Sequence, residues 1–360
     1  MELRIREGAC RPLFCFEVGF SIDLEAAKRM TTGAERLTLQ HREHAGLFEL
    51  RPPPLCISER AASAVAPFPL GPVVELVLYD FGAASVSYSI PLTESAAELL
   101  ELSRAVRGHA GLLADARQRI TRLVESLGSA VERPKIAEAV EDYFIFQLTR
   151  LEGAPDAASL CADHAELLAR VLRAESSEIS GEEIADAIEA RISFGRHEVA
   201  LVDWDSALLI GPEPEELRAV LEFANVQLLE LRYLDGDLDR TLERSYQLLA
   251  RRTGWRSLSP ASFSEGARLV STLQLESAVL LERVTNALKF LGEEYLARLY
   301  RLTATRLHLG DWAAAITRKL QTVENIYETM SSRASTRRME LLEWVVIVLI
   351  ALEIVLGLAR

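Results

Sequence analysis

The turn Asp203-Trp204-Asp205 carries the most suggestive chemistry in the sequence, because two carboxylates flank an aromatic ring. Such a pair could bind a cation or a basic group of a partner molecule. A hairpin tip with a packed indole explains the same residues without any ligand. If the protein is an enzyme or a ligand-binding protein, we expect Tyr143, Asp203, Trp204 and Asp205 to form its pocket.

Two pairs of residues have a spacing that could serve a metal ion. His41 and His44 lie three positions apart, which on a helix would place both imidazoles on one face, and Cys10 and Cys15 lie five apart. Neither pair has further ligands nearby in the sequence. We therefore expect a solvated turn at the histidines and small apolar residues near the first strand at the cysteines, and we predict no metal site.

Two further groups allow a catalytic or a calcium-binding interpretation. Cys161 and His164 have helical spacing, as a nucleophile and its base could, but no third residue completes the arrangement. Asp235, Asp237 and Asp239 alternate around a glycine. That glycine follows the first acid instead of the third, and no glutamate stands at the last position of a calcium loop. A helix face and a solvated helix break explain these residues better.

Composition and absent motifs limit the function further. The 360 residues include 53 acidic and 40 basic side chains, with a formal net charge of −13, so we do not expect nucleic acid as a partner. The sequence contains no GxxxxGK[ST], GxGxxG or GxSxG motif, which common nucleotide and hydrolase sites require. We predict no cofactor and favour a protein that is not an enzyme.

The first part of the chain mixes strand and helix patterns. Residues 73–80 and 83–90 are rich in β-branched and aromatic residues around a glycine, which predicts a hairpin. Residues 141–148 predict another strand, and residues 197–210 predict a second hairpin. Because these strands alternate with helices in no strict βαβ order, we predict an α+β domain over residues 1–212.

Helical periodicity dominates the rest of the chain, which we divide into a helical region (213–311) and a long C-terminal helix (312–360). Gly310-Asp311 predicts a turn between two long helices, and heptad spacing on both sides predicts a coiled-coil-like antiparallel hairpin. The C-terminal helix carries a seam of residues with alternating spacings of four and three. Its first members, which we expect to mediate helix packing, are Ile316, Leu320, Val323, Tyr327 and Met330.

The end of the C-terminal helix is apolar on every face, which is unlike a surface helix. Taking residues 340–359 as a membrane segment, we predict a tail anchor with the body of the protein in the cytoplasm or the matrix. The alternative is a buried helix in an oligomer, which Glu353 favours. The predicted anchor residues are Trp344, Val345, Val346, Ile347, Val348, Leu349, Ile350, Leu352, Glu353, Ile354, Val355, Leu356 and Leu358. The predicted interface charges are Arg333, Arg337 and Arg338.

The same segment resembles a known family. Residues 340–358, with Leu342-Glu343-Trp344 followed by an Ile/Val/Leu run and an embedded glutamate, are similar to the C-terminal signature of the required-for-meiotic-nuclear-division family and its bacterial YagE-type members. Residues 221–233 and the Asp203-Trp204-Asp205 turn resemble that family too. The resemblance covers about residues 140–360. It implies an α+β domain, helices and a C-terminal membrane segment, and its eukaryotic members are mitochondrial homo-oligomers that support translation. Because the sequence begins without an Arg- and Ser-rich transit peptide, the resemblance implies a bacterial-type member, with its body in the cytoplasm at the bacterial inner membrane.

These observations favour a non-enzymatic, tail-anchored homo-oligomer that acts as a membrane scaffold or tether. In that hypothesis the cytoplasmic α+β body binds a protein partner. One alternative is a soluble enzyme or ligand-binding protein with its site in the α+β domain. The other, which rests on the family resemblance alone, is a ribosome- or translation-associated membrane factor.

Overall fold

The computed structural model describes residues 3–31, 34–36, 52–61, 68–92, 95–153, 155–212, 215–250, 275, 277–279, 281–282 and 294–358. The strands are β1 (Ile5–Glu17), β2 (Ser21–Ile22), β3 (Ala34–Arg36), β4 (Leu55–Arg60), β5 (Val73–Leu78), β6 (Ala83–Ser87), β7 (Ile90–Leu92), β8 (Val131–Glu132), β9 (Val140–Leu151), β10 (Arg191–Gly195), β11 (Glu198–Val202) and β12 (Ser206–Ile210). The helices are α1 (Leu24–Met30), α2 (Ala96–Val106), α3 (Ala110–Leu127), α4 (Ala157–Asp163), α5 (Ala165–Arg173), α6 (Gly181–Glu189), α7 (Glu215–Ala250), α8 (Glu294–Arg306) and α9 (Leu309–Leu358). The predicted α+β class is confirmed.

Ten of the described strands form one sheet. Their order is β10-β11-β12-β9-β1-β6-β5-β4-β3, and β7 pairs with β1 beside β6. The pairs are antiparallel except for β12 and β9, which run parallel. Strands β2 and β8 make a separate two-stranded sheet. The sheet is therefore a mixed one that joins both predicted hairpins through β9 and β1.

Strand β1 is the centre of this sheet and changes partners along its length. One edge pairs with β9, while the other pairs first with β7 and then with β6. Pro12 lies at the change between these two partners, where its missing N–H costs no ladder hydrogen bond. Its carbonyl still accepts a hydrogen bond from the Tyr88 N–H at 3.0 Å. The proline is thus compatible with a central strand because it stands at an interruption of the ladder.

One face of the sheet is apolar and holds the core. Phe14 and Phe16 of β1 are buried in one cluster with residues of α3, while Phe144 and Phe146 of β9 are buried in another with residues of α2, α4 and α5. Each buried aromatic side chain contributes about 2–3 kcal/mol relative to an exposed one. This burial fixes which way β1 and β9 face.

The opposite face of the sheet is lined by polar groups, and α7 packs against it. The guanidinium of Arg232 lies 2.7 Å from the carboxylate of Glu141 on β9, and that of Arg218 lies 2.9 Å from Glu75 on β5. Glu222 of α7 is buried against the sheet. Helix α7 is therefore attached by ion pairs and hydrogen bonds in addition to apolar contacts.

The predicted elements and the observed ones differ mainly at helix boundaries. Helix α7 runs without a break through Gly236, where the sequence suggested an interruption. Residues 93–131, whose pattern is typical of one long helix, contain two helices, α2 and α3, because the chain turns at Gly108 with a φ of +64°. Helix α9 begins at Leu309, before the predicted Gly310-Asp311 turn, since His308 takes the positive φ that reverses the chain.

The chain divides into two compact units. The first comprises Met1–Tyr233 and Arg283–Asp311, and the second comprises Leu234–Glu282 and Trp312–Arg360. The sheet and its covering helices belong to the first unit, and most of α9 belongs to the second. The division into segments 1–212, 213–311 and 312–360 stays a prediction.

We expect Gly82→Ala to destabilise the protein by about 3 kcal/mol or more. Gly82 has a φ of +100°, and an added Cβ would stand 1.9 Å from the carbonyl oxygen of Gly19, so both the backbone conformation and the contact oppose a side chain. Chemical denaturation measures the free energy of unfolding. The control is Gly108→Ala, where nothing lies within 4 Å and only the positive φ costs about 1 kcal/mol. Equal losses for the two variants would contradict the clash.

Candidate functional site

The residues of the predicted pocket lie together at the turn between β11 and β12. The Tyr143 hydroxyl lies 2.7 Å from the carbonyl oxygen of Ser206 and 3.0 Å from that of Asp203, and it donates to these acceptors. Asp203 is fully buried, whereas 63% of Trp204 is exposed. The hydroxyl of Tyr143 therefore stabilises the turn from inside, and the indole is the part of it that faces outward.

Guanidinium groups surround the carboxylate of Asp203. Arg306 of α8 donates to it at 2.6 Å, and Arg173 of α5 donates at 3.1 Å. Arg306 also pairs with Asp186 of α6 at 2.8 Å, and Arg173 contacts the same carboxylate. The network links the β11–β12 turn to three helices, so its most direct chemical effect is to hold these elements together.

The second acid of the turn is paired separately. Asp205 accepts a hydrogen bond from Arg107 at 2.8 Å, and Arg107 lies over the ring of Phe144. Burial raises the pKa of Asp205 to about 6, although Arg107 acts in the opposite direction. At Asp186, hydrogen bonds from Arg306 and Arg173 lower the pKa to about 2 despite some desolvation. A ligand role for Tyr143, Asp203, Trp204 and Asp205 stays a prediction.

The other candidate residues are buried in the fold, lie at helix ends, or lie outside the described part of the chain. Cys10 belongs to an apolar cluster, and Cys15 is buried on the opposite face of β1, because an odd separation changes the face of a strand. Cys161 is buried in α4, and His164 begins α5. Residues 41 and 44 lie outside the described part of the chain. Among the described residues, no group of three or more potential ligands could hold a metal ion.

The three aspartates around Gly236 lie on the continuous helix α7. Lys319 of α9 pairs with Asp235 at 2.7 Å and with Asp239 at 2.6 Å, while Arg240 pairs with Asp237 at 3.1 Å. These acids therefore have basic partners in the same unit. The hydrogen-bonded helix also lacks the loop conformation that a calcium site requires.

The beginning of the heptad seam on α9 is packed. Ile316 and Val323 are buried and Leu320 is half-buried, as expected for residues that mediate helix packing. The side chains of Tyr327 and Met330 lie outside the described residues. The first two turns of the seam are thus covered within the chain.

The end of α9 is different, because its large apolar residues are exposed. More than half of each side chain from residue 344 to residue 350 is accessible, with 65% for Trp344 and 60% for Val348. Side chains from residue 352 onward, and those of Arg333, Arg337 and Arg338, are not described. This run is the largest uncovered apolar surface that we find in the described part of the protein.

The predicted membrane anchor is wrong. Over the residues that the structure describes, no helix combines the length and the hydropathy needed to cross a bilayer. The tail anchor (Trp344, Val345, Val346, Ile347, Val348, Leu349, Ile350, Leu352, Glu353, Ile354, Val355, Leu356 and Leu358), its interface charges Arg333, Arg337 and Arg338, the membrane scaffold function and the location at a bacterial inner membrane are therefore not supported.

A buried pair of carboxyl groups was missed by the sequence reasoning. Glu17 at the end of β1 and Glu230 on α7 face each other, with only 5% and 1% of their surface exposed. Within the described part of the chain, Oε2 of Glu17 and both carboxyl oxygens of Glu230 find no donor other than the facing carboxyl group. Burial raises the pKa of Glu230 to about 7, and burial together with the Glu230 charge raises the pKa of Glu17 well above its usual range. Burial therefore favours the protonated form of these two carboxyl groups.

We expect Glu230→Gln to stabilise the protein at pH 8 by roughly 3 kcal/mol and to have little effect below pH 4.5. The pKa of Glu230 rises from 4.5 to about 7 on folding, so between these values the folded chain binds more protons than the unfolded chain. The protonated carboxyl group of Glu230 therefore contributes to the free energy of unfolding at low pH. That contribution is lost as the pH rises from 4.5 to about 7. Denaturant titrations from pH 4 to pH 8 measure the effect.

The control for this titration is Glu189→Gln, which changes an exposed glutamate on α6. Its difference from the native protein should not depend on pH. A Glu230→Gln variant whose effect is equally independent of pH would contradict the raised pKa of Glu230.

Comparison with known proteins places the chain in a family without assigning a function. The family described as the N-terminal domain of the uncharacterized protein MJ0711 matches residues 7–216, which run from β1 to the start of α7. Uncharacterized protein MJ0711 of Methanocaldococcus jannaschii is 23% identical over 207 residues, or 57% of this chain and 63% of that protein, so the match spans less than two thirds of the relative. No solved structure matches.

The resemblance to the required-for-meiotic-nuclear-division family rests on residues that lie largely beyond this match, and it stays a prediction. The matched region covers nearly all of the sheet, the Asp203 turn and most of the apolar core. More than half of the chain is included. The chain therefore belongs to the family of the MJ0711 N-terminal domain.

Proposed function

We propose that this chain is a self-associating protein whose copies join through the C-terminal half of α9. The observation that carries the proposal is the exposed apolar run at residues 344–350. Successive residues of a helix point about 100° apart, so seven of them cover every direction around the helix axis. The helix thus has no polar face along two turns, and a lone chain leaves all of it in water.

An exposed apolar surface as large as that of residues 344–350 is expected to be covered by a partner. Monomeric proteins rarely expose contiguous apolar patches above a few hundred Å². Seven half-exposed side chains, six of them Val, Ile or Leu and the seventh Trp344, make a patch of that order. Covering the exposed half of each side chain would contribute about 1 kcal/mol per residue. The summed free energy of covering the run is comparable with the free-energy cost of bringing two chains together. We therefore expect the degree of assembly to depend on protein concentration.

The spacing of the run indicates another copy of the same helix as the partner. Trp344 and Val348 continue the alternation of four and three residues that begins at Ile316. Ile316 and Val323, which occupy the same seam seven residues apart, are buried within the chain. Heptad spacing fits one helix against another, and each copy brings an identical run. Because the run is apolar all round, a bundle of helices would cover more of it than a pair could.

We expect the full-length protein to sediment with at least twice the mass of one chain at micromolar concentration. Val348→Asp should shift it towards the single-chain mass, because a carboxylate on the seam would have to be buried without a partner. Sedimentation equilibrium at several concentrations measures both. A single-chain mass for the native protein at all these concentrations would overturn the proposal.

The matched control is Leu113→Asp, which puts the same charge on an exposed apolar residue of α3. This variant should keep the native association, because α3 carries no comparable run. Equal dissociation in the two variants would show that added charge alone, wherever it is placed, separates the copies.

A further inference from the structure

A cavity of about 210 Å³ opens where β10, β11 and β12 meet the first turn of α7 and helix α8. Its floor is formed by the buried side chains of Leu209, Ile210 and Leu217. Phe194 and Tyr295 form one wall, with their rings edge to face and their centroids 5.5 Å apart. All of these residues belong to the unit that contains the sheet. The cavity is distinct from both the Asp203 turn and the exposed end of α9.

A carboxylate lines this cavity beside two glycines that leave room for it. A Cβ on Gly211 would stand 3.0 Å from Cγ of Glu198, and one on Gly195 would stand 3.4 Å from its carboxyl carbon. Gly211 also has a φ of +145°, which side chains rarely adopt. Within the described residues, the Glu198 carboxylate makes no ion pair. It is therefore available to a positively charged group in the cavity.

The opposite charge is present in the same cavity. Arg298 of α8 lines it, and no ion-pair partner of this guanidinium is found in the part of the chain that the structure describes. The Tyr295 hydroxyl, by contrast, donates to the carboxylate of Glu216. That second acid is thus engaged by the protein. The two charges left for a ligand are one carboxylate and one guanidinium, above an apolar floor.

We infer that this cavity binds a free amino acid with an apolar side chain. The Glu198 carboxylate would accept hydrogen bonds from the ligand ammonium group, and Arg298 would donate a pair of hydrogen bonds to the ligand carboxylate. The side chain of the ligand would pack on Leu209 and Leu217, beside the two aromatic rings. A cavity volume of about 210 Å³ suits a molecule of amino-acid size.

Calorimetric titration of the full-length protein with L-phenylalanine tests the inference. Its amine analogue (phenethylamine) and its acid analogue (3-phenylpropionate) serve as probes that each lack one charged group. We expect both analogues to bind at least tenfold more weakly than L-phenylalanine. We expect Glu198→Gln and Arg298→Gln to weaken L-phenylalanine binding at least tenfold each. Only Glu198→Gln should weaken phenethylamine further, since that probe has no carboxylate for Arg298.

The matched controls are Glu294→Gln and Arg301→Gln, which neutralise exposed residues of α8. Both should bind L-phenylalanine as the native protein does. Thermal melts of each variant without ligand show whether it is folded, so that a lost site is not confused with a lost structure. Absence of L-phenylalanine binding at millimolar concentration, or binding that neither cavity variant weakens, would overturn the inference.

Discussion

The second half of the central strand β1 is buried on both faces, and the two faces are covered by different kinds of residue. Phe14 and Phe16 are covered by apolar residues of the helices on one side, which is the ordinary hydrophobic solution. On the other side Cys15 and Glu17 meet α7, which brings Glu222 and Glu230 into the interior. Glu222 accepts a hydrogen bond from Ser85, whereas Glu230 meets another acid and burial favours the protonated form of both. The attachment of α7 therefore depends on how these buried acids are satisfied.

Local patterns in the sequence predict the hairpins well. Strand β5 is rich in valine and leucine, and it is joined to β6 by a short turn at Gly82, so a few neighbouring residues determine the turn. The parallel pairing of β12 with β9 could not be predicted, because it joins segments that are distant in the chain and leaves no local signal. The same holds for Glu17 and Glu230. Each glutamate alone fits an exposed position, and only their meeting in the fold makes them unusual.

The long helix α9 shows the limit of hydropathy as evidence. An apolar surface on every side of a helix indicates only that something must cover it, and both lipid and other helices can do so. Among the described residues no helix is both long and apolar enough to cross a bilayer, so the predicted membrane anchor is wrong. The fold class was nevertheless predictable, because it rests on local strand and helix patterns. That the seam mediates helix packing stays a prediction.

Copies of the chain are proposed to meet at the end of α9, and disulfide trapping tests that contact directly. A cysteine at position 348 lies on the seam, while a cysteine at position 328 lies on an exposed part of the same helix. Under mild oxidation we predict a covalent dimer for Val348→Cys, well above the level for Glu328→Cys and for the native protein with its own four cysteines. No covalent dimer for Val348→Cys at micromolar concentration, or equal yields in all three proteins, would contradict association through this helix.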